Sequence, residues 1–195
     1  NLEGLISLEN EINLKTVEFG VLVDLFLSYR AVEAFENMIS LVNKMPKPLQ
    51  YSIMIQEQLG FALNRMNKRD EAINVLKEII KNHGNSSETL GILGRAYKDK
   101  YKEALELKND FMAEGYLKKA IDTYLEGFES DFRDAYPGIN AVTLMDISND
   151  SRKDELLPIV EYALKQKMKQ SCDYWDYATL LELSIISENK EEANK

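Results

Sequence analysis

Cysteine, histidine and tryptophan each occur once in this chain. The lone Cys172 excludes an intramolecular disulfide framework and suits a reducing compartment, so the chain reads as cytoplasmic. It is expected to be a packed thiol rather than a redox centre, because it has no internal resolving partner. The lone His83 leaves no Cys/His spacing for a metal. It falls where a helix is expected to end, a position that favours a solvated cation over a catalytic base. Only 4 prolines and 9 glycines punctuate 195 residues, so long helices are easier to write than a many-turned β fold. Positive charge is also scarce. With 24 Lys+Arg against 33 Asp+Glu the net charge is −9, which argues against nucleic acid and against an anionic membrane surface. No run approaches the roughly 18 apolar residues of a membrane helix. The nearest, Phe19–Leu27, is interrupted by Asp24.

Catalytic signatures are missing too. Neither G-x-x-x-x-G-K nor G-x-S-x-G occurs. The carboxylates fall at helical spacing on polar faces. Glu103 and Glu106, one turn apart beside Lys102, read as solvated charges. The chain is therefore expected to be no enzyme and to hold no cofactor or metal.

What is present is a repeat. Leu59-Gly60 recurs as Leu93-Gly94, 34 residues later, the period of a tetratricopeptide repeat. Ala72 lies between, with Leu76 and Ile79 after it at helical spacing, the grammar of two antiparallel helices that approach closely at small residues. The expected fold is all-α: a right-handed superhelical stack of about nine or ten helices in one continuous domain over 1–195. The repeats fall near 17–50, 53–86, 87–133, 134–170 and an incomplete 172–195.

In order, residues 1–18 suggest a short lead-in helix with Leu5, Leu8 and Ile12 on one face. Asn1-Leu2-Glu3 has neither an initiator Met nor a signal profile and reads as a boundary within a longer protein. Two helices with a break near Ala31–Phe35 run to Met45-Pro46-Lys47-Pro48, where proline stops the second. Helix 53–66, a turn at Asn67–Asp70 with Asp70 as N-cap, and a helix to about Asn82 make the cleanest repeat. Gly84 ends it in a left-handed conformation, and Ser86 or Ser87 caps the next helix. The third repeat starts on register, but its small residue comes at Ala120 instead of 106. About fourteen residues, roughly Lys100–Ala113, are inserted, and both helices of that pair are expected to be lengthened. A fourth pair covers about 135–147 and 154–170, with Pro158 near the first turn. A last helix from Cys172 to near Ser187 is followed by the opening of a helix at Glu188–Ala193. Tyr97, Tyr124, Phe128, Tyr136 and Trp175 are expected to serve core and inter-repeat packing, with Tyr174 and Trp175 exposed at the end of the stack.

Several stretches go beyond a generic repeat: F-L-S-Y-R (26–30), M-I-S-L-V (38–42) with Pro46, F-A-L-N-R (61–65), L-G-R-A-Y-K-D (93–99), A-I-D-T-Y-L-E-G-F-E (120–129), Y-P-G-I-N (136–140) and Y-W-D (174–176). Together and in this order they resemble the TRAF-binding region in the central regulatory part of apoptosis signal-regulating kinases, and related bacterial domains. The resemblance runs from about Val17 to Lys195. It implies a tetratricopeptide-like signalling scaffold that docks protein partners. With no kinase signature in the chain, it carries over no kinase activity.

In such a stack the first helices line a concave groove. Counting residue 53 as the first position of its repeat, the groove positions are Met54, Glu57, Phe61, Asn64 and Arg65. The next repeat gives Glu88, Gly91, Arg95, Lys98 and Asp99, and the first gives Val23, Leu27, Arg30 and Ala31. Arg30, Phe61, Asn64, Arg65, Arg95 and Lys98 are thus the candidate residues for binding a protein or acidic peptide, since guanidinium groups suit carboxylates. Alternatively these cations pair with Glu57, Glu88 and Asp99 and hold the repeats in register. Self-association through the C-terminal helices or the 100–115 projection, giving a homo-oligomer, is a different function. An enzyme of unrecognised kind is a third.

Overall fold

The computed structural model describes residues 1–170 and 174–187. Among them the regular structure is helical throughout: α1 (Leu2–Glu11), α2 (Phe19–Ala31), α3 (Phe35–Lys44), α4 (Lys47–Gln50), α5 (Ile53–Arg65), α6 (Arg69–His83), α7 (Ser87–Glu106), α8 (Asp110–Ser130), α9 (Ala135–Ser148), α10 (Arg152–Gln170) and α11 (Tyr174–Ile186). This is the all-α, tetratricopeptide-like class that the 34-residue spacing implies. The chain divides into two compact units, Asn1–Gly84 and Asn85–Lys195. No helix among the described residues is long and apolar enough to cross a membrane. No described group of three or more His, Cys, Asp or Glu is placed to hold a metal ion.

Each first helix of a pair (α2, α5, α7, α9) closes in the same way. Glu33, Asn67, Lys108 and Asn149 take φ of 56, 60, 54 and 54°. The next residue then returns its N–H five residues back: Ala34 to Tyr29, Lys68 to Leu63, Asn109 to Ala104 and Asp150 to Met145, all at 2.9 Å. This is a Schellman closure, built here without glycine. From Glu33 to Asn67 the spacing is 34 residues, but from Asn67 to Lys108 it is 41.

The extra residues are helical. α7 has 20 residues where α5 has 13, and α8 has 21 where α6 has 15. Seven residues make nearly two turns of 3.6, so the added length leaves the faces in phase. Two equivalent contacts confirm it. A Cβ on Gly60 would stand 2.8 Å from Leu76 Cγ, and one on Gly94 would stand 2.7 Å from Tyr124 Cδ1. The glycines let α5 sit on α6 and α7 on α8 despite the different lengths. Tyr97, Tyr124 and Phe128 are core residues, as expected, whereas Tyr136 is 48% exposed and covers Gly91 with its ring edge.

In the first unit, Leu22, Phe26, Tyr29, Met38, Leu41 and Ile55 are fully or almost fully buried. Removing one such side chain from water contributes about 1.5–3 kcal/mol. α1 lies on this core through Leu5 and Ile12, but Leu8 is 42% exposed. At 100° per residue, position 9 rather than 8 follows Leu5 onto the covered face. Glu9 accordingly accepts a hydrogen bond from the Tyr29 hydroxyl (2.6 Å) and pairs with Lys44 (2.7 Å). Burial, with the Glu9 hydrogen bond and charge added, pushes the Tyr29 hydroxyl well above its ordinary pKa.

Three local details differ from the sequence reading. Asp70 is not an N-cap; α6 begins at Arg69, and Asp70 and Glu71 instead supply carboxylates in its first turn, where the helix dipole favours them. The Pro46-Lys47-Pro48 stop is followed by the short helix α4, with Pro48 in its first turn, where no N–H is needed. Pro158 lies inside α10, because that helix starts at Arg152, two residues earlier than expected. Ser86 caps α7 as expected, accepting from Thr89 N–H at 3.1 Å, and Gly84 has φ of 83°. Cys172 and Glu188–Ala193 lie outside the described residues, as does the Trp175 side chain.

Candidate peptide-binding face

Arg30 sits near the end of α2 and is exposed, as a last-turn cation favoured by the helix dipole. Its Nη1 donates to Gln58 Oε1 of α5 at 2.6 Å, and Gln58 is itself buried, at 7% exposure. The guanidinium lies over the Phe61 ring, 4.6 Å from its centroid. Phe61 in turn meets Phe35 of α3 edge to face, at 5.9 Å and 74°. On the far side of Phe35 lies the Arg65 guanidinium, 5.4 Å from that ring.

The result is a continuous row, Arg30–Phe61–Phe35–Arg65, built from three helices of the first unit. Each cation–π contact at such a half-exposed place is worth about 0.5–1 kcal/mol. Arg65 approaches Glu33, the left-handed turn residue, at 3.8 Å, with both side chains well exposed, so that pairing is weak. Arg30 has no ion pair with any described carboxylate; its one hydrogen-bond partner, Gln58, is neutral. An aromatic face and an amide hold the guanidinium without neutralising it.

Three of the six candidates, Arg30, Phe61 and Arg65, are therefore brought together here. Asn64, between Phe61 and Arg65 in sequence, is buried at 6%. Glu57, expected as a groove position and as a counter-charge, is likewise buried at 8%.

Arg95 and Lys98 belong to a separate polar cluster in the second unit. Arg95 Nε donates to both carboxylate oxygens of Asp99, each at 3.1 Å. Burial works against the Arg95 charge, but Asp99 outweighs it and the pKa moves up. Lys98 donates to Asn140 Oδ1 of α9 at 2.9 Å. Its pKa moves down, through burial first and then the neighbouring Arg95 and Lys102, against Glu182 and Asp99. Here the cations tie α7 to itself and to α9. Position decides the contrast: the residue one repeat on from Phe61 is Arg95, and the one after Arg65 is Asp99. The carboxylate that neutralises the second cluster thus stands where the first has a cation.

Sequence reasoning missed Phe35 and Gln58. Phe35 was assigned to the break between helices, although an aromatic directly after a turn, 26 residues before Phe61, was visible. Gln58 left no signal, because a groove register names positions and not reach across to a neighbouring helix.

Comparison with known proteins gives a consistent picture. Residues 3–195 match the model of the MAP3K TRAFs-binding domain. Mitogen-activated protein kinase kinase kinase nsy-1 of Caenorhabditis elegans is 30% identical over 192 residues, covering 87% of this chain and 12% of that protein. Mitogen-activated protein kinase kinase kinase 15 of Mus musculus is 24% identical, covering 90% of the chain and 14% of the protein. For mitogen-activated protein kinase kinase kinase 5 of Homo sapiens the figures are 22%, 90% and 13%. The chain thus spans about one-eighth of the length of these relatives. A crystal structure of a thermophilic TPR protein from Thermus thermophilus superposes with a TM-score of 0.68 at 15% identity, over 90% of this chain and 86% of that one, which shows the shared fold. The chain belongs to the MAP3K TRAFs-binding domain family.

Proposed function

We propose that this member of the MAP3K TRAFs-binding domain family is a non-catalytic regulatory scaffold that docks an acidic peptide segment of a protein partner on the Arg30–Phe61–Phe35–Arg65 row. The observation that carries the reading is Arg30. A guanidinium already oriented by Gln58 and Phe61, with no ion-pair partner among the described residues, loses little side-chain freedom when a carboxylate arrives. The two rings offer apolar contact to whatever residue lies between two acidic ones. Arg65 can exchange its weak contact with Glu33 for a peptide carboxylate at small cost. The second-unit cations, Arg95 and Lys98, have a structural role beside this one, because Asp99 and Asn140 already hold them.

The test is fluorescence anisotropy with labelled acidic peptides that carry an aliphatic or aromatic residue between carboxylates. Arg30→Glu is expected to weaken binding by about tenfold or more, roughly 1.4 kcal/mol. Arg65→Glu should act in the same direction, and both effects should shrink as salt is raised. Arg133→Glu, an exposed arginine in the other unit, is the control. Unchanged affinity in a folded Arg30→Glu variant removes this face from the proposal.

A further inference from the structure

We infer that the end of the α7–α8 hairpin is a self-association surface whose occupant is the same hairpin end of a second copy of this chain. Arg152, at the start of α10, reaches Asp122 of α8 at 3.2 Å, so the α9–α10 turn comes level with that point. Beyond it, residues 110–117 of α8 continue for about 12 Å of helix, with the end of α7 beside them. At this end Leu107 is 73% and Phe111 86% exposed, with Leu105 at 46% and Met112 at 44%. Four large apolar side chains thus face solvent within eight consecutive residues.

They are not needed to hold the hairpin. Its seam closes on Ala104 and Ala113, buried at 4% and 3%, and Lys100 and Lys119 flank the Tyr116 ring at 5.2 and 5.7 Å. An apolar cluster left over after the pair is packed marks a contact surface.

Charge selects the occupant. The chain carries −9, yet from Lys100 to Lys119 five lysines stand against four carboxylates. An end this close to neutral exerts little pull on an acidic peptide and does not repel its own copy. The acidic remainder of one copy repels that of another, so association is least opposed where the contact holds them apart. Two projections end to end supply about 20 Å, roughly two Debye lengths at 0.1 M salt. Apolar side chains ringed by mixed charges also suit a two-fold contact, in which the same patch meets itself. The inference does not rest on the peptide-binding reading.

Sedimentation velocity across a dilution series tests it. The wild type is expected to pass from monomer to dimer as concentration rises, with no weakening in high salt. Leu107→Asp/Phe111→Asp should remain monomeric at the highest concentration with an unchanged far-ultraviolet spectrum, since both sites are solvent-facing. Arg30→Glu should dimerise as the wild type does. In a Cys172→Ser background, Glu106→Cys should give a covalent dimer on mild oxidation, and Arg133→Cys should not. A wild type that stays monomeric throughout, a dimer that survives the double aspartate change, or equal cross-linking at the two cysteines overturns the inference.

Discussion

At Gly94 a hydrogen is all that the neighbouring ring leaves room for. A Cβ there would fall 2.7–2.9 Å from three atoms of Tyr124, a rigid ring that is fully buried. Gly60 faces the same kind of conflict with Leu76, at 2.8–3.2 Å, but an isopropyl group can rotate where a phenol ring cannot. Gly94→Ala is therefore expected to destabilise the protein by about 1–3 kcal/mol, despite alanine's better helix propensity, and Gly60→Ala by less. Urea unfolding of the two variants checks the order; equal or reversed losses would contradict it. Both glycines were legible in the sequence, as the 34-residue pair. Their partners were only half legible. Ala120 and Tyr124 marked a displaced second helix, but which ring would meet which glycine depends on packing distance, which spacing alone does not give. Arg30 shows the same limit. Its helical position was readable, whereas the amide and ring that hold it come from two other positions in α5.

Turns make the case for the individual element. Each first helix ends on a left-handed residue, and in two of four turns that residue is Glu33 or Lys108, side chains with no local reason to favour positive φ. The break was readable from polarity near residues 31–35, 67–70 and 148–153. The left-handed position was not, because no glycine marks it. Lys108→Gly is expected to raise stability by about 0.5–1 kcal/mol, since the lost backbone strain exceeds the added freedom of the unfolded chain. The thermal midpoint of that variant against Lys108→Ala decides this, alanine keeping the strain and removing only the side chain. A midpoint no higher for glycine would mean that the turn is not strained. α10 shows the opposite limit: Pro158 was placed near a helix start because proline favours that place, yet the helix begins at Arg152 and includes it.

Over the whole molecule, the lengthened pair is the feature the sequence conveyed best. The late arrival of Ala120 implied about fourteen added residues, and helix-forming composition put them into both helices. Removing residues 100–106 and 110–116 should restore the regular length: Asp99 then meets the turn Leu107-Lys108-Asn109, and Ala120 takes the place that Ala72 holds after its own turn. That variant is expected to fold with a cooperative thermal transition and to keep the Gly94–Tyr124 contact. Loss of cooperativity in circular dichroism would show that the added turns are needed for folding. Should it fold as expected, the added length has no duty in the body of the protein.

Seven residues close on two turns with a phase error of only about 20°. Helices of a pair can therefore be lengthened together by this step while their inner faces keep their neighbours. α7 and α8 act in this sense as a telescoping arm. Its reach can change independently of the body that carries it, and the few residues at its end determine what it meets.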